Sequence, residues 1–509
     1  PNLEYLNLKY CCNLEEVHHS LGCCSKLIRL DFCWCESLKR FPCVNVESLE
    51  YLSVEDCSSL EKFPEIHGRM KTEIQIHMGG SGLRELPSFI TQYQTHITEL
   101  DLRRIKNLVA LPSSICRLKN LVSLDVCGCS KLESLPEEIG DLNNLEELDA
   151  SDTLISRPPS SIVRLNKLKI LSFSGFRGYE VHFEFPLVAE GLRSLVYLDY
   201  SYCNLIDGGL PEDIGSLSSL KELYLSGNNF EHLPQSIAQL GSLRILDLSD
   251  CQRLTQLPEL PPELNELHVD CHMALKFIHD LVTKRKKLQR VIFPDYEDDE
   301  DDAYDDTIYN LFVHALFQNI PSLRHHISAS DSLSENVFTI KHPFGKIPSW
   351  FHYQGRDRSV SINLPENWYI PDKFLGFAVC YYGNLIDTTV QLISECDRGM
   401  SWMTQKLALS NHSECDTESS DYSEWYTQYD INFFLVDGLW VTSKAKGKTP
   451  NDWGIIRLYF SGKMKNYGLR LLYKEEPEVE ALLQMRENNN EPIKHSTGIR
   501  RTRYNNRRA

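Results

Sequence analysis

Long apolar runs are missing from this chain of 509 residues: no stretch of about 18 apolar residues occurs, so no membrane-crossing helix is expected. Positive charge is scarce. Against 53 Lys and Arg stand 71 Asp and Glu, a formal net charge of −18. A nucleic-acid face needs clustered cations to neutralise phosphates, and an anionic lipid surface repels an acidic chain. Neither nucleic acid nor membrane is therefore an expected partner. A disulfide framework is missing too. The 17 cysteines are odd in number, no two stand in C-x-x-C spacing, and one glycosylation sequon appears, at Asn411 and Ser413. These counts point to a reducing, intracellular compartment: the cytoplasm, with the nucleus as an addition.

Catalytic signatures are equally sparse. Gly447-Lys448-Thr449 resembles the end of a phosphate loop, but Thr442 stands where G-x-x-x-x-G-K-T needs glycine. No Ser-His-Asp set, carboxylate pair or metal motif sits in a suitable context, so neither an enzyme nor a cofactor is expected. The acidic run from Asp295 to Asp306 lacks the spaced D-x-D-x-D-G of a calcium loop and reads as a solvated loop. No signal peptide opens the chain. Pro1 leads straight into Leu3, Leu6 and Leu8, so the chain is expected to be one piece of a longer protein.

What is present is a repeat. The pattern L-x-x-L-x-L-x-x-C/N/T begins at Leu3, Leu6, Leu8 and Cys11, and returns as Leu27, Leu30, Phe32, Cys35 and as Leu49, Leu52, Val54, Cys57. A degenerate copy surrounds Ile74 and Ile76. Later copies start at Ile97, Leu121, Leu145, Leu168, Leu195, Leu220, Leu243 and Leu264, twelve in all, with clean neighbours 21 to 27 residues apart. That spacing is the leucine-rich repeat. Each L-x-L is a short strand with leucines inward and x residues outward. One repeat cannot bury its own leucines, so the copies stack into an α/β solenoid, a horseshoe with parallel strands on its concave face. Leu111-Pro112, Leu135-Pro136, Leu210-Pro211 and Leu233-Pro234 each lead to an Ile and a Leu, which marks a short helix or turn on the convex side.

Cys11, Cys35, Cys57, Cys129, Cys203 and Cys251 share one repeat position. A ladder of buried thiols bonded to backbone fits that periodicity. The rival is a zinc site from Cys11, Cys12, His18, His19, Cys23, Cys24, Cys33 and Cys35, which lacks paired ligand spacing. Asp31, Asp101, Asp125, Asp149, Asp199 and Asp247 also share a position. They are either a structural habit of the strand or an acidic stripe for a basic partner.

The period fades after Cys271. The basic stretch from Lys284 to Arg290 is expected to cap the solenoid, and Ile308, Leu311, Phe312, Ala315 and Leu316 have the spacing of a linking helix. From Asn336 to Tyr473 short β runs such as residues 337–340, 359–364, 374–380 and 455–460 alternate with Pro, Gly and Asn, the mark of an all-β antiparallel sandwich. The expected division is 1–275 solenoid, 276–335 cap, acidic loop and linker helix, 336–480 β-sandwich, and 481–509 a basic tail. The tail carries Lys494, Arg500, Arg501, Arg503, Arg507 and Arg508 and is expected to be disordered, a nuclear signal being the other reading.

Ile347-Pro348-Ser349-Trp350-Phe351, Gly355, Ser359 to Leu364, Pro365, Asn367-Trp368 and Phe374 to Ala378 form an ordered series. It resembles the jelly-roll/Ig-like domain that follows the repeats (C-JID) in plant TIR-type NLR immune receptors, and the Leu-Pro-x-x-Ile repeats fit that family. The resemblance covers nearly all of residues 1–480. It implies an intracellular pathogen sensor whose repeats and β domain bind a pathogen effector or a guarded host protein. It also implies an autoinhibitory contact with a nucleotide-binding domain. NAD cleavage would belong to a TIR domain, and an oligomer, a tetramer, would form only with those other domains. A repeat scaffold or a truncated decoy without signalling output is the alternative.

Candidate contact residues are aromatic or arginine side chains at outward strand positions: Tyr5, Tyr10, Trp34, Tyr51, Arg103, Arg104, Tyr197, Tyr202 and Tyr224. Such residues most often become binding hot spots. Trp402, Trp425 and Tyr426, in the polar region from Ser394 to Tyr429 read as a loop, complete the set.

Overall fold

The computed structural model describes residues 2–45, 47–63, 66–67, 74–93, 96–175, 182–188, 191–277, 281, 288, 290–293, 313, 338–341, 347–371, 373–394, 402–408, 431–437 and 449–473. Its first part is a stack of very short strands. These are β1 (Tyr5–Asn7), β2 (Arg29–Asp31), β3 (Val44–Asn45), β4 (Tyr51–Ser53), β5 (Ile66–His67), β6 (Gln75–His77), β7 (Glu99–Asp101), β8 (Ser123–Asp125), β9 (Glu147–Asp149), β10 (Ile170–Ser172), β11 (Tyr197–Asp199), β12 (Glu222–Tyr224), β13 (Ile245–Asp247), β14 (Glu266–His268) and β15 (Arg290–Ile292). All but β3 and β5 lie side by side, parallel, with leucine over leucine: Leu6 faces Leu30, Leu124 faces Leu148, Leu223 faces Leu246. The central residue of nearly every strand is fully buried, and each such leucine contributes about 1.5–3 kcal/mol.

The other side of the stack holds 3-10 turns at Ser113–Arg117, Ser160–Arg164 and Gln235–Gln239, each entered from Pro112, Pro159 or Pro234. Proline's fixed φ and missing N–H suit that position. The repeat before β7 has a different form. It carries α1 (Ser88–Tyr93) instead, and β6 and β7 do not pair, so β1, β2, β4 and β6 form a sheet separate from the one that starts at β7. The turn beyond the break still bonds across it, Gly80 N–H to the Arg103 carbonyl at 2.6 Å.

The strand ladder runs on past the expected end of the repeats at residue 275. After α2 (Cys271–Lys276), the ladder continues into β15, whose frame Leu288, Val291 and Phe293 is buried like the others. The residues described there, Leu288, Val291 and Phe293, keep the spacing of the repeat frame with Val and Phe in two leucine positions. The next strand, β16 (Phe338–Lys341), pairs parallel to β15 and antiparallel to β21 (Ile431–Asp437).

The second part is antiparallel. It comprises β16, β17 (Tyr353–Gly355), β18 (Ser359–Asn363), β19 (Phe374–Ser394), β20 (Trp402–Ala408), β21 and β22 (Trp453–Tyr473). β19 and β22 are 21 residues each and pair along their lengths, with register shifts around Tyr382–Thr388. On one side of those bulges β19 is flanked by β21, on the other by β20. The two long strands thus pass from one sheet half to the other, and Phe377, Val379, Val390, Leu392, Leu458 and Leu469 from both halves share one core. The opposite face is buried too. Leu375, Ala378 and Cys380 join Ile347, Trp350, Phe351 and the solenoid's Val291 and Phe293 in a single continuous cluster.

Candidate binding face

The outward residues of the solenoid sheet form registered rows. One row explains the recurrent aspartate. Asp31, Asp101, Asp125, Asp149, Asp199 and Asp247 each accept, through Oδ1, the backbone N–H two residues on, at 2.9–3.1 Å. That bond fixes the chain as it leaves the strand, so the row is structural first. Asp125 is pushed up to about 6 by burial, with Asp149 adding to it. Asp199 is also raised, by burial first. Asp101 lies below its ordinary value: burial pulls it upward, but two hydrogen bonds and the charge of Arg103 outweigh that.

The residue three beyond each of these positions turns left-handed. Tyr10, Trp34, Asp56, Arg104, Asp152, Tyr202 and Asp250 have φ between 54° and 63°, and Gly80, Gly128 and Gly227 take the same place in other repeats. The positions of five expected contact residues are corrected here. Tyr10, Trp34, Arg104 and Tyr202 do not sit at outward strand positions but in this turn, at the rim of the face, and Arg103 also follows its strand. Bulky residues rarely adopt such backbone. Tyr10 and Trp34 stack at 6.5 Å with both rings exposed, and Arg104 reaches Asp56 at 3.7 Å across the sheet break.

Tyr5, Tyr51, Tyr197 and Tyr224 are on strands, facing outward. Tyr51 carries the Arg29 guanidinium on its ring at 3.6 Å, and Tyr197 and Tyr224 lie 5.1 Å apart. Trp402 opens β20, paired with Ile393, which corrects the expected loop: residues 402–408 complete a sheet edge beside the long β19. Trp425 and Tyr426, the linker-helix residues Ile308, Leu311, Phe312, Ala315 and Leu316, the acidic run 295–306 and the tail 481–509 lie outside the described residues. Sequence reasoning missed the flanking Ile170 and Ile245, outward neighbours of Tyr197 and Glu222 in the same row. Their signal was present: isoleucine at an outward position.

The cysteine row points inward from Cys35 onward, whereas Cys11, expected to be buried with it, is exposed in the first repeat. Cys35, Cys57, Cys129, Cys203 and Cys251 each donate S–H to a carbonyl of the preceding repeat at 3.0–3.2 Å: Leu8, Phe32, Leu102, Phe173 and Leu225. Burial pushes the Cys57 and Cys129 thiols up to about 12, so they stay protonated. Asn228 takes the same place with a stronger set, donating to Tyr200 and Leu225 carbonyls and accepting from Leu205 N–H. The eight Cys and His of the N-terminal repeats do not converge on one point. Among the described residues the ligand atoms of Asp125, Cys127 and Asp149 do, but burial holds the Cys127 thiol at about 12, and Asp125 is already bonded to the Cys127 amide. No helix among the described residues is long and apolar enough to cross a membrane.

Comparison with known proteins agrees with this geometry. A C-JID domain matches residues 342–478, leucine-rich repeats of the disease resistance protein RPS4B type match 45–135, and a general leucine-rich repeat matches 203–252. The chain is 75% identical over all 509 residues to TMV resistance protein N of Nicotiana glutinosa, covering 43% of that protein. It is 33% identical over 385 residues to disease resistance-like protein DSC1 of Arabidopsis thaliana, covering 74% of this chain and 31% of that one. Disease resistance protein RPS4B of the same plant is 25% identical, over 77% of this chain and 28% of that protein. The chain thus spans less than half the length of these relatives. Among solved structures, a leucine-rich-repeat protein of Leptospira interrogans shares 22% identity at a TM-score of 0.30, over 57% of this chain and 90% of that one.

Proposed function

Because the chain belongs to the TIR-type NLR disease-resistance family, as its leucine-rich-repeat and C-JID part, we propose that it is the sensing and autoinhibitory module of an intracellular plant immune receptor. One observation carries the reading: 75% identity, end to end, with a resistance protein. The module binds a pathogen effector, or a host protein that the effector alters, through the solenoid sheet face, its rim and the β domain. In a full-length receptor the same module holds a nucleotide-binding domain inactive, and a tetramer forms only with the partner domains. It acts in the cytoplasm, and in the nucleus where the receptor enters it. The β domain is taken as a jelly-roll/Ig-like unit, supported by its two sheet halves sharing one core. The proposed division is 1–275 for the repeats, 276–335 for the cap and linker, with β15 extending the strand ladder into it, 336–480 for the β domain and 481–509 for the tail.

Tyr5, Tyr10, Trp34, Tyr51, Arg103, Arg104, Tyr197, Tyr202, Tyr224, Trp402, Trp425 and Tyr426 remain the proposed contacts. In support of the set, Tyr5, Tyr51, Tyr197 and Tyr224 are outward residues of the parallel strands, and Tyr10, Trp34, Arg104 and Tyr202 occupy the left-handed turns that follow such strands. The test is a chimera. The chain is joined to the N-terminal domains of the resistance protein it resembles and expressed in leaf tissue with pathogen proteins one at a time. Silence without a pathogen protein and cell death with one is the expected result. Death without any pathogen protein would remove the autoinhibitory role, and silence toward every protein that infects the source plant would remove the sensing role.

A further inference from the structure

The sheet face already shows how it holds a guanidinium. Arg29 of β2 and Tyr51 of β4 are opposite in register, and the Arg29 Cζ lies 3.6 Å from the Tyr51 ring centroid. Its Nη2 donates to Asp31 at 3.0 Å. A planar cation is thus stacked on a ring and paired with the carboxylate two residues along, a geometry that suits arginine better than lysine. Here the chain fills the seat with its own side chain.

β11 and β12 present the same elements without the guest. Tyr197 stands opposite Glu222, and Asp199 opposite Tyr224, a checkerboard of two rings and two carboxylates. The half-buried rings lie 5.1 Å apart and tilt by 38°. The Tyr224 hydroxyl donates to Glu222 at 3.1 Å, and the Tyr197 hydroxyl reaches Asp199 at 3.5 Å. Among the described residues no Lys, Arg or His stands within ion-pair distance of Asp199 or Glu222; the cations nearby are spent elsewhere, Lys169 on Glu146 and Arg290 on Glu266. The next strands add Asp247 and His268: burial first, then the charge of Asp247, raises Asp199, and the His268 ring, bonded to Glu266 at 2.7 Å, stands 3.9 Å from Asp247 and edge-on to Tyr224. Ile170 and Ile245 wall the patch on either side in the same row, Ile170 at 38% exposure.

We propose that this patch receives an arginine side chain from the partner protein, its guanidinium stacked on Tyr197 or Tyr224 and paired with Asp199 and Glu222. The inference rests on the binding-face reading above and adds the chemistry of the partner. Charge complementarity favours it: a net charge of −18, two unpaired carboxylates and two ring faces call for a delocalised cation. The competing occupant is the chain's own basic segment, Lys494 to Arg508.

The probe is a fluorescein-labelled Gly/Ser peptide with spaced arginines, beside versions carrying lysine or citrulline, titrated by anisotropy onto the full chain. The arginine peptide is expected to bind saturably, about fivefold tighter than the lysine peptide, and the citrulline peptide not to bind. Tyr197→Leu with Tyr224→Leu should remove that preference, whereas the paired Phe substitutions, which keep both rings, should retain it. Neutralising Asp298, Asp299 and Asp301 should leave the preference unchanged. Equal binding of arginine and lysine peptides, or Leu variants that fold by circular dichroism and keep the preference, would overturn the proposal. So would a chain cut after residue 480 that binds the peptide tenfold tighter than the full chain, because the tail would then be the resident. If the chimera answers a pathogen protein while the arginine peptide fails, this inference falls alone; if the peptide binds and the chimera is silent, the receptor reading falls instead.

Discussion

Tyr200 stands where most repeats carry an aliphatic residue. It is fully buried against Phe173, Phe183 and Phe185, and its hydroxyl has no hydrogen-bond partner among the described residues. A buried, unbonded hydroxyl costs roughly 1–3 kcal/mol, so Tyr200→Phe should raise the melting temperature of the chain. A lower melting temperature would mean that the hydroxyl is bonded after all. Asp125 makes a second prediction. Its folded value, about 6, lies above the ordinary carboxylate value, so the folded chain binds a proton that the unfolded chain does not. Its stabilising share is therefore complete in acid and lost as pH rises through 6. Asp125→Asn keeps an oxygen for the Cys127 amide and removes the charge. Melts at pH 7.5 and pH 5 should show the variant gaining at the higher pH and its advantage shrinking at the lower. An equal effect at both would exclude titration of Asp125 as the cause.

At the scale of the repeat, strand and turn are coupled through one N–H bond and one left-handed residue. Beside Arg104 and Tyr202 the next repeat makes room with glycine, Gly128 and Gly227. A Cβ on Gly227 would meet the Tyr202 ring at 2.2 Å, and Gly227 itself has φ +66°. Gly227→Ala should cost about 1–2 kcal/mol for the backbone alone, and more for displacing the ring. In a Tyr202→Ala background only the backbone cost should remain. A double-mutant cycle by urea unfolding reads the difference, and strict additivity would mean the ring moves freely. The leucine frame, the cysteine ladder and the proline-led turns were all legible in the sequence, because each repeats one chemistry at one position. The left-handed row was not: Tyr10, Arg104 and Tyr202 share no chemistry with Gly227, only a backbone angle. The thirteenth sheet-face strand hid for a related reason, since Val291 and Phe293 keep the apolar frame while breaking its leucine spelling. For the binding face, the row of outward aromatics could be read, but the pairing of Tyr197 with Glu222 and of Asp199 with Tyr224 needed the register.

The whole molecule is held by a core that does not stop where the repeats do. Phe293 of the last solenoid strand and Phe351 and Cys380 of the β domain belong to one apolar cluster. Two domains that share a core should unfold together, because exposing either face leaves the other's apolar surface in water. Gly468 is the place to test this. It lies opposite Cys380 on β22, and a Cβ there would come within 2.8 Å of Cys380 Sγ and Phe351 and 2.9 Å of Ile347. All three neighbours lie on the β domain's side of the shared cluster, so Gly468→Val disturbs the β-domain layer of the cluster that also holds the solenoid's Val291 and Phe293. Scanning calorimetry should give one transition for the native chain and two for the variant. Val390→Ala, in the separate core between the β sheet halves, should lower the single transition by roughly 1–3 kcal/mol of stability without splitting it. Two transitions in the native chain would mean that the shared cluster does not couple the domains. That result would also weaken any account in which binding at the solenoid face reaches the β domain through packed side chains, leaving the β15–β16–β21 backbone ladder as the connection.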